Sequence, residues 1–373
     1  MGKTIVAGAG ALAPDAVLGP LAPALDGDAV AELVPGCSVC RPVYVRYKPG
    51  HHLQVLYEID GTLGHLMLVP PRRAERLWAR IADSGLLERG KAWHLPGMGA
   101  VMQMYPVDVR LPGLSAPELG GAQLIRYKPG KRAVLRLGPG VFGKLRADDA
   151  GPRLIALGRA VGALCPTPLE YRPELRMTTY RAAPGTRLAL LRGTELERWM
   201  APVADALARL HATPAPGLAE FSVAREVDEL RAAGELAAAL LGRSFEALVE
   251  RLAAELAAAP AGASTIHGSF HDDQVLVGYA GVVLLDLDSA ARGHPALDVG
   301  HFACYLSAAG EAGARERWLA ACAAGPEALL FEAASLVRWS SLPFRRLEPR
   351  WREAMERSLR LAHERLSEYS GSR

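Results

Sequence analysis

The stretch Ile266-His-Gly-Ser-Phe-His-Asp-Asp-Gln-Val-Leu-Val277, followed by Val283-Leu-Leu-Asp-Leu-Asp288, holds the densest set of chemically capable residues in the chain. A loop carrying histidine, carboxylates and an amide runs into a short apolar strand, and a glycine turn leads to a second strand ending in Asp-x-Asp. A hairpin of this kind returns the carboxylates of its second strand to the polar groups that precede its first. Hard oxygen donors gathered at one point suit Mg²⁺, which takes one or two carboxylates and fills its shell with phosphate oxygens and water. Phosphoryl transfer asks for that arrangement, with metal-held phosphates and a positioned hydroxyl but little covalent work by the protein. Alone, Asp286 would read as a capped strand end at the surface; its neighbours argue for a ligand.

Other reactive residues point less clearly. Of the five cysteines, Cys37, Cys40, Cys165, Cys304 and Cys322, only the Cys-x-x-Cys pair at 37 and 40 has a suggestive spacing. No second pair or histidine set follows it, so ordinary thiols of a reducing cytoplasm are expected rather than zinc. Gly8 and Gly10 lack the third glycine and the acidic residue of a dinucleotide fingerprint. The segment after Lys3 is too glycine-rich and too weakly apolar for a secretory signal. A net charge of +3 over 373 residues, with Lys and Arg dispersed among acids, argues against nucleic acid or a membrane surface as partner. Every Ala/Leu-rich segment is interrupted by charge, so no membrane span is expected. The expected partner is a small molecule, and homo-oligomerisation is left open.

These residues need a framework, and half of the chain is hydrophobic, enough for two or three packed units. An internal echo marks the first part. Val43-Tyr-Val-Arg-Tyr-Lys-Pro-Gly50 is followed by a Val/Leu-rich strand, then Gly61 and Gly64; Gln123-Leu-Ile-Arg-Tyr-Lys-Pro-Gly130 is followed by another, then Gly140 and Gly143. Proline then glycine is the chemistry of a type II turn, so each copy reads as strand, turn, strand, turn, strand. Either two hairpins share turn residues or a small β-unit is duplicated. Between them, 73–87 has helical spacing at Leu77, Ile81 and Leu86 or Leu87, and the proline-rich 106–117 reads as a linker. Beyond the second copy the chain turns helical. Thr194-Glu-Leu-Glu197 reads as a capping box opening a helix that runs to His211, before Pro214 and Pro216. Further helices are expected near 225–241, 244–258, 313–323 and 350–369, with short strands at 275–277 and 282–287. The order β-rich then α-rich predicts an α+β fold of two lobes.

The loop and hairpin resemble the catalytic and metal-binding segment of the aminoglycoside phosphotransferase family, of protein-kinase-like fold. That family shows His-Gly-Asp-x-His-x-x-Asn, a hairpin, Asp-Phe-Asp and a downstream Gly-x-Pro-x-x-Asp. This chain has His267-Gly268-Ser269-Phe270-His271-Asp272-Asp273-Gln274, then Asp286-Leu287-Asp288, then Gly293-His294-Pro295-Ala296-Leu297-Asp298. The likeness covers about 120–310 and includes the helix ending Ala208-Arg-Leu-His211. It implies that Asp286 and Gln274 bind Mg²⁺ with help from Asp288, Gln274 standing for the usual asparagine as in maltokinase-type enzymes. It also implies that His267 and Asp298 brace the loop.

One departure bears on activity. Ser269 stands where the resemblance implies the general base, and a hydroxyl is neither a base nor a charge at neutral pH. Either Asp272 or Asp273 takes that role, or the protein is a pseudokinase that binds nucleotide or a partner protein without transfer. On the nucleotide side, Lys144 in Val141-Phe-Gly-Lys-Leu145 matches the phosphate-orienting lysine, whose acidic partner is expected on the next helix. Only Asp148 and Asp149 are available there. Lys128 and Lys131 flank a turn that could contact phosphates, and the stretch 177–185, with Tyr180, resembles the connector between lobes. Trp339, Phe344 and Trp351 could line an acceptor pocket or belong to the core. Arginines 338, 345, 346, 350 and 352 alternate with Glu348, Glu353 and Glu356, which is not the acidic wall a polycationic aminoglycoside would favour.

The resulting expectation is a bilobal protein-kinase-like fold with three parts: an N-terminal extension or cap (1–118), a nucleotide lobe with connector (119–186) and a helical lobe with the metal site (187–373). The expected activity is a cytoplasmic, Mg²⁺- and ATP- or GTP-dependent phosphotransferase acting on a hydroxyl of a sugar-like or antibiotic-like small molecule.

Overall fold

The computed structural model describes residues 12–215 and 217–372; Gly8, Gly10, most of the segment after Lys3, and Pro216 lie outside the described residues. After a short helix α1 (Gly27–Ala31), strands β1 (Cys40–Lys48), β2 (His52–Ile59) and β3 (Thr62–Leu68) form a meander. Helix α2 (Pro71–Ala82) then leads to β4 (Ala92–Leu95) and β5 (Ala100–Met104). The second unit repeats this plan with β6 (Gln123–Lys128), β7 (Arg132–Gly138), β8 (Val141–Arg146), α3 (Gly151–Val161), β9 (Pro168–Arg172) and β10 (Met177–Arg181). The sheet orders are β1-β2-β3-β5-β4 and β6-β7-β8-β10-β9, antiparallel throughout. A shared strand order with a helix at the same point is a duplicated five-stranded unit, not two hairpins that merely share a turn.

The turn residues show why the echo is so literal. Gly50 and Gly130 take φ of 68° and 64°, and His51 and Lys131 each donate a backbone hydrogen bond to the carbonyl three residues back. A buried aspartate upstream of each sheet then fastens the turn. The Asp15 carboxylate accepts from the Tyr47 hydroxyl at 2.6 Å and the Gly50 N–H at 2.8 Å. The Asp108 carboxylate accepts from the Tyr127 hydroxyl at 2.9 Å and the Gly130 N–H at 2.7 Å. Each aspartate opens an Asp-x-x-Leu step whose leucine, Leu18 or Leu111, is buried. The stretch 106–117 is therefore a loop, as its prolines require, but it is bolted to the second sheet rather than loose.

The helical half comprises β11 (Thr186–Arg187), α4 (Gly193–Glu197), α5 (Met200–Ala212), α6 (Val223–Leu241), α7 (Glu246–Ala258), β12 (Ser264–Ile266), β13 (Val275–Gly278), β14 (Gly281–Leu284), β15 (Ala291–Gly293), α8 (Ala296–Ala309), α9 (Ala312–Ala321), α10 (Glu327–Arg338), α11 (Leu342–Arg345) and α12 (Trp351–Gly371). Two of the expected helices differ from the sequence reading. The expected α2 stops at Ala82 because Gly85 adopts φ 70°, leaving Leu86–Glu88 as a separate 3₁₀ turn. The capping box at Thr194 does not form: Thr194 lies inside α4, whose N-cap is Arg192, and Glu197 pairs with Arg317. The chain restarts at Met200, which places Pro202 in the first turn of α5, where a missing N–H costs nothing.

Helix α10 packs between α8 and α12, and β1 of the first sheet packs on α11 and α6. The first sheet is thus fastened to the helical half as well as preceding the second sheet. Among the described residues no helix is long and apolar enough to cross a membrane.

Removing Asp108 leaves a buried hydroxyl and a turn N–H without an acceptor, each worth about 1–3 kcal/mol. Asp108→Ala should therefore lower the urea-unfolding free energy by about 2–4 kcal/mol, and Tyr127→Phe by clearly less. Asp15 adds a pH dependence. Burial pushes its carboxyl up, but the donors from Gly50, Tyr47, Leu18 and Val17 outweigh that and hold it at about 2, below the ordinary 3.8. A depressed folded-state value means this contribution is complete above the ordinary carboxylate range and disappears as pH falls toward 2. Acid unfolding of Asp15→Asn should accordingly be shallower over that window than that of the parent.

Candidate functional site

The loop between β12 and β13 is braced from below. Asp298, in the first turn of α8 and fully buried, accepts from the backbone N–H of His267 at 2.7 Å and of Gly268 at 2.9 Å, and from His211 Nε2 at 3.0 Å. Burial would raise the Asp298 carboxyl, but His211 and then His267 hold it below the usual range. His267 Nε2 donates to the Leu285 carbonyl at 2.8 Å, tying the loop to the end of β14, and burial pushes its imidazole toward the neutral form. Gly268 has φ 76°, and a Cβ there would stand 2.2 Å from the Ser289 carbonyl oxygen, so the position admits only glycine.

The hairpin then sets the distance between amide and carboxylates. Val275 pairs with Leu284, and the Leu285 N–H donates to the Gln274 carbonyl at 2.7 Å. Gln274 and Asp286 are brought together at the open end of the hairpin. Gln274 is buried and its Oε1 has no hydrogen-bond partner. Asp286 sits at φ 64°, ψ 51°, a left-handed conformation costing a non-glycine residue about 1–2 kcal/mol. Such strain persists only where the surroundings hold it in place.

Those surroundings come from the second sheet. Lys144 Nζ lies 2.6 Å from a carboxylate oxygen of Asp286 and 2.6 Å from one of Asp288. Arg132 pairs with Asp286 at 2.6 Å and also with Asp288, and Arg146 reaches Asp288 as well. Burial would raise the Asp286 carboxyl; Lys144 and Arg132 instead hold it far below the usual carboxylate range. Arg153 of α3 donates to the Asp288 carbonyl at 3.0 Å. The expected acid for Lys144 on the next helix is absent, because Asp148 is taken by Arg146 and Asp149 by the Tyr171 hydroxyl. Lys144 turns to the hairpin aspartates instead.

Arg132 and Arg146 were not singled out in the sequence. Their signal was available in strand periodicity: Lys144 and Arg146 are two apart on β8, and Arg132 is the cross-strand partner of Arg146. Lys128 and Lys131 bracket the β6–β7 turn, with Lys128 near enough to Asp286 to feel its charge. Tyr180, on β10 opposite Phe142, has its phenol pushed up by burial and then by Asp288. The connector behind it enters β11, which pairs with β13, so the second sheet is joined directly to the β13–β14 hairpin.

On the other side of the loop, the Asp272 carboxylate accepts from the Asp273 N–H at 2.8 Å and lies 3.7 Å from His271 Nδ1. Asp273 faces Arg187 at 3.5 Å. His271 stacks on Tyr305 at 4.7 Å and Tyr305 meets Trp339 at 5.0 Å, an aromatic row leading away from the loop. Of the three aromatics weighed as pocket residues, Phe344 and Trp351 pack edge to face in the core, and only Trp339 stands at this wall. Ser269 is half-buried in the same loop. All five cysteines are free thiols. Among the described residues no group of three or more His, Cys, Asp or Glu suits a metal ion. Two carboxylates beside an unpartnered amide oxygen nevertheless fit Mg²⁺, which needs few protein ligands when phosphates supply the rest.

Comparison with known proteins follows the same lines. The sequence pattern described as "Phosphotransferase enzyme family" matches residues 128–334, more than half of the chain. A choline/ethanolamine kinase family protein from Mesorhizobium loti superposes with a TM-score of 0.50 at 17% identity, covering 70% of this chain and 95% of that one. A thermostable mutant of aminoglycoside phosphotransferase APH(4)-Ia, solved with AMP-PNP and hygromycin B, gives 0.50 at 15% identity, covering 65% and 93%. These likenesses establish the bilobal kinase-like fold. No curated protein matches the chain.

Asp298 offers a test of the loop. Asp298→Ala strands two buried N–H groups and His211, a loss expected to cost about 3–5 kcal/mol. It should appear as a lower urea midpoint, and an unchanged midpoint would show that the loop does not hang from Asp298.

Proposed function

The chain belongs to the phosphotransferase enzyme family, and on that premise we propose that it moves the terminal phosphoryl group of ATP or GTP to a hydroxyl of a small molecule. The observation that carries this reading is the meeting of Asp286 and Asp288 with Lys144 and Arg132, at a hairpin end whose other strand follows Gln274, with its Oε1 orphaned. Asp286 and Gln274 would hold Mg²⁺, with Asp288 assisting; the ion would offset the negative charge of the phosphates. Lys144, Arg132 and Arg146, now paired to the carboxylates, are placed to turn to phosphate oxygens, with Lys128 and Lys131 at the neighbouring turn. Tyr180 and the connector are assigned to the purine side.

For the base, Asp272 is favoured over Asp273 and Ser269. Both carboxylates act on Tyr305, but Asp273 faces the exposed Arg187, whereas Asp272 faces His271, which stacks on Tyr305. The acceptor oxygen forms a bond to phosphorus as the bond from the terminal phosphorus to its bridging oxygen breaks. The electron pair of that bond leaves with the nucleoside diphosphate, and the acceptor proton passes to the Asp272 carboxylate. His267 holds the loop rather than reacting. We assign residues 119–186 to nucleotide binding, 187–373 to the helical lobe and 1–118 to a cap over the acceptor side.

A thermal-shift titration with Mg²⁺ and AMP-PNP tests the site. Ligand at about 100 times its Kd should stabilise the protein by about 2.7 kcal/mol, and Asp286→Asn should abolish the Mg²⁺-dependent part. In an acceptor screen, Asp272→Asn should cut kcat by about 10²-fold with nucleotide binding retained, while Ser269→Ala should leave turnover standing. A wild-type protein that shifts with nucleotide yet never turns over, and gains activity on Ser269→Asp, would overturn the assignment of the base to Asp272.

A further inference from the structure

We propose that the acceptor carries a compact anionic group, a phosphate monoester or a carboxylate, received by Arg46 and Arg345 beside Lys131. The inference rests on the phosphotransferase reading and names the class of its second substrate. Three cations from distant parts of the chain converge here. Arg46 lies on β1, which packs against α11, the helix that carries Arg345. Lys131, in the β6–β7 turn, feels the charges of both.

No ion pair joins Arg46, Lys131 or Arg345 to a carboxylate among the described residues, and Arg345 Nε is buried without a hydrogen-bond partner. Glu229 of α6 is the acid in range of Arg46 and Lys131, and it is already held by Arg338 and Arg225. Burial, then Arg46, Arg132 and Arg345, press the Lys131 ammonium down to about 8. Like charges crowded without a counter-ion cost free energy in the empty protein, and an anion bound among them recovers it. His52 belongs to the same group: it shares the face of β1–β2 that bears Arg46, and its Nε2 is likewise buried and unpartnered.

Lys131 stands between this cluster and the phosphate-side Arg132, and Arg46 and Arg345 are what set the cluster apart. Arg132, Lys144 and Arg146 belong to the family-matched core and sit on Asp286 and Asp288, whereas Arg46 and Arg345 both lie outside 128–334. The row His271, Tyr305 and Trp339 runs from the loop as an aromatic wall for the body of the acceptor, and Arg346, next to Arg345 in the chain, acts on Tyr305. A sugar ring bearing one anionic substituent matches that combination of stacking face and cations.

The test titrates protein saturated with Mg²⁺ and AMP-PNP, so that the nucleotide's own phosphate contacts are filled. Inorganic phosphate, D-gluconate and uncharged glucose are compared by calorimetry. Phosphate or gluconate should bind once per chain and more tightly than glucose, the stronger of the two naming the source of the charge. Arg46→Gln and Arg345→Gln should each weaken that binding about tenfold or more while leaving AMP-PNP affinity unchanged. The proposal is overturned if neither anion binds, if both variants bind as tightly as the parent, or if the variants lose AMP-PNP instead. Failure of AMP-PNP to bind the parent would count against the phosphotransferase reading alone, and phosphate titrated into the nucleotide-free protein and Arg46→Gln would still decide the anion site.

Discussion

Two aspartates at the end of one hairpin, held by three cations from a separate sheet, are the constraint around which the rest of the molecule is arranged. Asp286 and Asp288 would repel each other if left alone in a half-buried cleft. Lys144, Arg132 and Arg146 remove that repulsion, and they can do so only while the second sheet lies over the hairpin. The left-handed turn at Asp286, the His267 bridge to Leu285 and the β11–β13 pairing all keep the carboxylates where the cations can reach them. On the proposed reading the clasp is an exchange of partners in waiting: carboxylates turned to a divalent ion free their cations for phosphate oxygens. A buried cluster of this kind says little about net stability, since desolvation offsets much of the attraction. What it does do is join the second sheet to the hairpin of the helical half.

The duplicated unit shows the same scaffold with and without that task. Both copies keep the Arg-Tyr-Lys-Pro-Gly turn and the buried aspartate that fastens it. Counting from the second turn, Gly64-His65-Leu66 stands where Gly143-Lys144-Leu145 stands in the other copy. His65 is buried with both ring nitrogens unpartnered, and burial pushes its imidazole down to about 4, so it is a neutral core residue. The first copy therefore has no exposed cation at the position that defines the second. What it presents instead is the β1 edge, turned toward α11 and α6.

Much of the site was legible because its parts are local. Gln274, Asp286 and Asp288 are joined by one short hairpin, and apolar alternation with a glycine turn predicts their convergence without knowledge of the fold. His267 and Asp298 were legible through the family likeness. The partners of Lys144 were not, because its ion pairs span more than 140 residues and the acids on the nearer helix are engaged elsewhere. Helices α8 and α10 escaped for the opposite reason. Packed in the middle of the helical half, they bury residues on most of their circumference, and α8 shows no clear amphipathic stripe to read. At Thr194 a local capping signal lost to Pro202, which fixes the start of the longer helix six residues further on.

The two flanks of the family-matched core complete the picture. Everything before Lys128 and after residue 334 lies outside that core, yet β1 from one flank packs on α11 from the other. An extra β-unit that merely enlarged the nucleotide lobe would have no reason to reach the far end of the helical half. On the proposed reading, one that closes the acceptor side would do so, that side being assigned to the loop of residues 267–274, α8 and the chain following α10. The contact between the flanks places Arg46 opposite Arg345 rather than opposite a carboxylate, an arrangement that packing alone disfavours. Like charges brought together at this contact, with Arg345 Nε unpartnered, are the physical reason to look there for a ligand's charge.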